Sequence, residues 1–165
     1  MLRSPGSNTC LTENVPYIVA MGTAADMFMN SSESHGTQWK ENAFHMEELR
    51  NRLLQNLIAQ LGQDNVKANG PADPLKRLPN TLSVGIRNVQ SGELLRRIQT
   101  KVACSAGSAC HSSGGALSPV LIAMGVPLEF AKGTLRLSVG PLTTEEDVDK
   151  AGDVIVFEAR RQLDC

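Results

Sequence analysis

The chain has 165 residues, 41% of them apolar and 20% charged, with a formal net charge of −1. That length suits about one domain with a proper core, and the near-zero charge removes the electrostatic case for nucleic acid or an anionic membrane as partner. No stretch approaches the roughly 20 apolar residues of a membrane helix, and the start of the chain holds Arg3 but no apolar run, so no secretory signal is expected.

Residues 1–11 read as an irregular N-terminal segment, broken by Pro5, Gly6 and Asn8, and residues 12–165 as a single small domain. A helix is predicted over 12–30: Thr12 or Asn14 can cap it, and Pro16 suits its first turn. Val15, Ile18, Val19, Gly22 and Ala25 share one face of it. Polar residues 30–42 read as a loop or a frayed extension. A second helix is predicted from Phe44 to Leu61, with Met46, Leu49, Leu53, Leu57, Ile58 and Leu61 at helical spacing and Gly62 as its stop.

Residues 66–74 allow a short strand at best. Alternation predicts a strand over Thr81 to Ile86, with Leu82, Val84 and Ile86 inward, and another over Val102 to Ala106. Between them Ser91 can cap a short helix holding Leu94, Leu95 and Ile98. Ser118 and Pro119 open a helix that runs through Met124, and Thr134 to Val139 is a third strand. Thr143-Thr144-Glu145-Glu146 reads as a capping box that opens a last helix, with Val148, Ala151, Ile155, Ala159 and Leu163 inward. The mixture has no regular alternation and no repeat. It reads as α+β, a small antiparallel or mixed sheet of about three strands with helices packed on one face.

Two places carry chemistry. Residues 105–117 are a run of small residues, Ser105-Ala106-Gly107-Ser108-Ala109 and beyond, with one thiol at Cys110 and one imidazole at His111. Such a loop is either a plain connection or an arm that brings a reactive thiol to a substrate. An imidazolium close by would raise the thiolate fraction of Cys110. On the third strand, Leu135, Leu137 and Val139 share a face, so Arg136 and Ser138 point to the other. Arg136 is then either a solvated cation or a planar guanidinium placed for a two-point grip on a carboxylate. The cysteines Cys10, Cys104, Cys110 and Cys165 show no Cys-x-x-Cys spacing, so no metal site and no disulfide framework are expected, and a reducing intracellular compartment fits.

Five stretches in register resemble the C-terminal part of cysteine desulfurases and selenocysteine lyases, pyridoxal-phosphate enzymes of the class V aminotransferase group. They are Thr12-Glu13-Asn14-Val15-Pro16 through Ala25; Arg77-Leu78-Pro79-Asn80-Thr81-Leu82; Ser105-Ala106-Gly107-Ser108-Ala109-Cys110; Ser118-Pro119-Val120-Leu121 with Met124-Gly125; and Leu135-Arg136-Leu137-Ser138-Val139-Gly140 followed by Thr143 to Asp149. The Cys-His-Ser form of the loop is similar to the selenocysteine-lyase branch slightly more.

The resemblance implies the small domain of a fold-type I pyridoxal-phosphate enzyme. It implies Cys110 as the nucleophile that attacks the substrate sulfur, leaving alanine and a persulfide, or that takes part in selenium release. It implies Arg136 as the carboxylate-binding residue and Thr12 as a contact to the cofactor phosphate of a partner subunit. Residues 12–30 would bridge the domains. In place of the family's usual Gly before that Thr stands Leu11. None of Lys40, Lys67, Lys76, Lys101, Lys132 and Lys150 has the family's Ser-His-Lys setting, so the large cofactor-lysine domain is expected to be absent. This chain alone is then expected neither to bind pyridoxal phosphate nor to be active. Expected partners are a second copy, a full-length relative or a sulfur-acceptor protein, and neither nucleic acid nor membrane. A stand-alone interaction or sulfur-relay module and a non-functional truncated product are the alternatives. The apolar face of the first helix is expected to promote self-association.

Overall fold

The computed structural model describes residues 13–29, 38–106 and 117–164. The chain divides into two compact units, Met1–Glu41 and Asn42–Cys165. The described part of the first holds helix α1 (Val15–Met29) and the opening residues of α2. Asn14 caps α1: its Oδ1 accepts from the Tyr17 amide at 3.3 Å, and its carbonyl accepts from the Ile18 amide at 3.0 Å. Val15, Tyr17, Ile18, Val19 and Met21 are all exposed along this helix.

The second unit is built on a four-stranded antiparallel sheet in the order β1-β2-β4-β3, from β1 (Val66–Ala68), β2 (Thr81–Ile86), β3 (Ser105–Ala106) and β4 (Thr134–Ser138). β1 is the strand that residues 66–74 only hinted at. One face of the sheet is apolar because period two brings Leu82, Val84 and Ile86 together with Leu135 and Leu137, and Val66 joins them through its pairing with Ile86. Helices α2 (Gln38–Leu61), α3 (Ser91–Ile98) and α6 (Glu145–Leu163) cover that face with Leu49, Leu53, Leu57, Leu94, Ile98, Val148, Ile155, Val156 and Ala159. α2 starts at Gln38, six residues before the predicted Phe44. It ends where Gly62 takes φ 90°, a left-handed conformation that favours glycine, and donates its amide to Ile58 at 2.8 Å.

α6 lies close on α2. A Cβ at Gly152 would stand 3.0 Å from the Asn56 side chain, so the glycine sets the approach. Arg52 of α2 donates to both carboxylate oxygens of Asp149, at 2.9 and 2.8 Å, and to Glu145 at 2.6 Å. At the start of α6, Thr144 and Asp147 form the capping box, one residue later than the sequence reading placed it. Thr143 instead closes the preceding turn: its hydroxyl accepts from the Gly140 amide at 2.9 Å. Inward positions on α6 include Gly152 and Val156, whereas Leu163 is exposed at the helix end.

Other boundaries also move. Gln90, not Ser91, stands at the cap position of α3, without a side-chain cap bond, and its amide donates to Gln162 of α6 at 2.9 Å. Residues 102–104 pack Val102 and Cys104 against the core without ladder pairing, which shortens β3 to two residues. α4 (Pro119–Ala123) follows Ser118 as expected, with Pro119 in its first turn. α5 (Leu128–Ala131) has no counterpart in the sequence reading; it approaches β2 at Gly85, where a Cβ would stand 2.7 Å from the Phe130 carbonyl oxygen.

Candidate functional site

The second face of the sheet is polar, and the ladder register decides its neighbours. Opposed residues of an antiparallel pair project to the same side. Arg136 faces Ser83 on β2 and Ser105 on β3, with Thr134 and Ser138 on the same face of its own strand. Ser138 in turn pairs with Thr81, their hydroxyl oxygens 3.4 Å apart. A guanidinium thus stands on an inner strand, ringed by hydroxyls and with no carboxylate among those neighbours.

That setting separates Arg136 from most arginines of the chain. Arg50, Arg52, Arg87, Arg97 and Arg161 are each held by a carboxylate. Arg136 is exposed and has no ion-pair partner among the described residues. Its backbone is fixed from both sides by β2 and β3, so the base of the side chain is rigidly placed while its charge stays unspent. Such a group suits a planar anion, above all a carboxylate taken in two-point fashion.

β3 links this cation to the thiol-bearing stretch. Ser105 and Ala106 pair with Arg136 and Leu135, and the chain proceeds from Ala106 toward Cys110. Thr12, Cys110 and His111 lie outside the described residues. Asn80 works as a joint: its carbonyl accepts from the Val139 amide at 3.0 Å, and its Oδ1 accepts from the Thr81 hydroxyl at 3.2 Å. The Arg77–Leu82 and Leu135–Gly140 stretches, far apart in sequence, therefore meet as neighbouring strands.

Cys104 is described, and it is a poor thiolate. It is half-buried against the core, and burial pushes its thiol up from the ordinary value. Another residue without a sequence signal is Arg50, only 3% exposed, which donates to the Leu78 carbonyl at 3.0 Å and to Glu47 at 3.0 Å, anchoring the turn ahead of β2. Beside it, burial first and then the charge of Arg50 hold the Arg77 guanidinium below its usual pKa. A cleft of about 780 Å³ opens on the helix side, between residues 101–103 and α6, with Lys101, Asp147 and Asp153 among its walls, but Arg136 does not line it. Among the described residues, no group of three or more His, Cys, Asp and Glu could hold a metal ion, and no helix is long and apolar enough to cross a membrane.

The family pattern described as Aminotransferase class-V matches residues 9–151. The chain belongs to the class-V aminotransferase family. Selenocysteine lyase of Homo sapiens is 38% identical to it over 141 residues, which are 84% of this chain and 30% of that protein. A cysteine desulfurase IscS of Clostridium botulinum is 34% identical over 155 residues, 92% of this chain and 37% of that one. Among solved structures, a NifS-like protein superposes with a TM-score of 0.64 at 28% identity, covering 93% of this chain and 34% of its own. A NifS-like protein from Rickettsia africae gives 0.63 at 27% identity, over 93% of this chain and 36% of its own. This class-V aminotransferase chain spans about a third of the length of these relatives.

Proposed function

We propose that this chain serves the release of sulfur or selenium from cysteine or selenocysteine, as the part that holds the substrate carboxylate and carries the accepting thiol. The observation that supports it most is Arg136, a guanidinium among hydroxyls with no ion-pair partner among the described residues, one strand away from the segment that leads to Cys110. Cys110 comes four residues after Ala106, and four residues of chain reach at most about 14 Å. Arg136 binds and orients the amino acid through its carboxylate. The Cys110 thiolate attacks the substrate sulfur. The sulfur–sulfur bond forms as the carbon–sulfur bond breaks, the electron pair and the thiol proton end on carbon, and the products are alanine and a Cys110 persulfide. The exchange balances without an outside oxidant.

Pyridoxal phosphate would supply the electron sink for that bond cleavage when bound. It needs a lysine for its imine and an acid for its ring nitrogen. Ser83, Ser105, Thr134 and Ser138, the face neighbours of Arg136, include neither. Lys67 shares the face but lies two strands away on β1, opposite the Gly85 that α5 approaches. The described residues therefore do not fit the cofactor by themselves. These 165 residues are proposed to need a further cofactor-bearing part from a full-length relative, with Thr12 reaching the cofactor phosphate, a second copy as a pairing partner, and a sulfur-acceptor protein collecting the product. A thiol that must stay free places the chain in a reducing compartment.

The test is an absorbance spectrum of the purified chain with added pyridoxal phosphate, before and after borohydride, together with alanine release from L-cysteine. The expected result is no reducible band and no alanine above the blank. A reducible band with alanine release would overturn the dependence on a further part.

A further inference from the structure

Asn69 follows β1 and continues its pairing: its amide donates to the Ser83 carbonyl at 2.8 Å. Its side chain is only 7% exposed, and its Oδ1 has no hydrogen-bond partner among the described residues. Its Nδ2 stands 3.2 Å from the Ser83 hydroxyl oxygen and 3.5 Å from that of Thr134. Counting protons fixes the direction of these bonds. The single hydroxyl proton of Thr134 goes to the Phe130 carbonyl at 3.0 Å, so toward Asn69 Thr134 offers only an acceptor. The atom of Asn69 that faces it must then be the nitrogen. The same nitrogen donates to Ser83, whose own proton is left without an acceptor among the described residues. Turning the amide over would give Oδ1 the Ser83 proton but strand both protons of Nδ2 and set two oxygens against each other at Thr134, a larger loss. The orphan Oδ1 is thus the consequence of holding the nitrogen toward Ser83.

Ser83 sits directly across from Arg136 in the β2–β4 register. Opposed side chains have Cβ atoms about 4.5–5.5 Å apart, near enough to share one small ligand. A carboxylate has more lone pairs than one guanidinium takes up. We infer that Ser83 is a substrate-binding residue: its hydroxyl donates to the carboxylate that Arg136 holds, and Asn69 is the positioning residue that leaves the hydroxyl proton free to do so. The inference rests on the reading of Arg136 as the carboxylate site and adds to it a second, neutral donor. Arg136 makes the pair favour a carboxylate over an amide of the same shape, because an amide NH2 directed at the guanidinium meets only donors.

The experiment follows the Arg136 Nε–H signal of the full chain, labelled with ¹⁵N-arginine, during titration with L-alanine and with L-alaninamide. Alanine is expected to shift the signal to saturation and alaninamide to leave it in place. Ser83→Ala is expected to weaken alanine about tenfold or more, in line with loss of one hydrogen bond to a charged group, and also to lower the thermal midpoint, because the buried Asn69 amide loses its acceptor. Ser83→Thr, which keeps the donor, should stay within about twofold of the parent. Asn69→Ala, scored on variants whose spectra stay dispersed, should weaken alanine in the same sense. Equal alanine binding by Ser83→Ala and the parent overturns the inference and leaves Arg136 standing. If Ser83→Ala weakens alanine in the parent but not in an Asn69→Ala background, where it strands no amide, Ser83 is merely structural and the inference is overturned. No Arg136 response to alanine in the parent, or an equal response to alaninamide, overturns the carboxylate reading itself.

Discussion

Two described side chains show how environment divides the labour of similar groups. Cys104 is half-buried, and burial disfavours its thiolate, so it is a structural thiol that fills the core beside Val102. Its alkylation by iodoacetamide at neutral pH, followed by peptide mass spectrometry, is predicted to be slower than that of an exposed cysteine peptide, because burial both disfavours the thiolate and shields the sulfur. An equal rate would contradict that assignment. Arg136 is the opposite case, a cation that no carboxylate among the described residues holds. Alternation of Leu135, Arg136 and Leu137 was enough to place it on the polar side of a strand. What alternation could not tell was who stands opposite. Ser83 and Asn69 gave no signal of their own, because their roles depend on a register set by strands more than ten residues apart in sequence.

At the scale of elements, long amphipathic segments were legible and short or partner-dependent ones were not. The heptad-like leucines of α2 and the cap of α6 declare themselves locally. α5 has only four residues between Pro127 and Lys132, too few for a period. Residues 102–104 alternate like a strand, yet they pack without a ladder partner, and no local pattern reports that. The clamp between α2 and α6 has a pH signature. A hydrogen bond from Arg52 holds the Asp149 carboxyl below the ordinary value of 3.8. One from the Thr144 hydroxyl does the same for Asp147, also from an ordinary 3.8. Because the folded values are the lower ones, this stabilisation is fully present above the unfolded carboxylate value and is lost as the pH falls below it. Thermal midpoints measured from pH 7 down to pH 2 should therefore drop most steeply below about pH 4. Asp149→Asn should flatten that drop, and an unchanged acid slope in the variant would contradict the clamp.

For the whole molecule, the sheet is a device for joining stretches that are remote in sequence. β2 brings Asn80 and Ser83, β4 brings Arg136, and β3 leads from Arg136 into the Cys110 segment. Helices α2, α3 and α6 bury the apolar side, while α5 covers the Gly85–Thr134 end of this face and leaves Arg136 exposed. α1 carries a different consequence: Val15, Tyr17, Ile18, Val19 and Met21 are exposed together on one helix. Apolar exposure on that scale predicts concentration-dependent self-association, visible as a rising mean mass in a sedimentation dilution series. A strictly monomeric protein across the series would contradict it.

The central claim is that Arg136 and Cys110 serve one substrate, and their coupling is measurable without the cofactor. The experiment compares alkylation of Cys110 by iodoacetate, which carries a carboxylate, with alkylation by neutral iodoacetamide, using Cys104 in the same sample as the internal control. The predicted result is an iodoacetate advantage at Cys110 that falls about fivefold or more in Arg136→Gln, as for loss of a charge-assisted contact, while the iodoacetamide rate stays the same. An iodoacetate-to-iodoacetamide ratio at Cys110 that is identical with and without Arg136 would mean that the thiol and the guanidinium do not share a site.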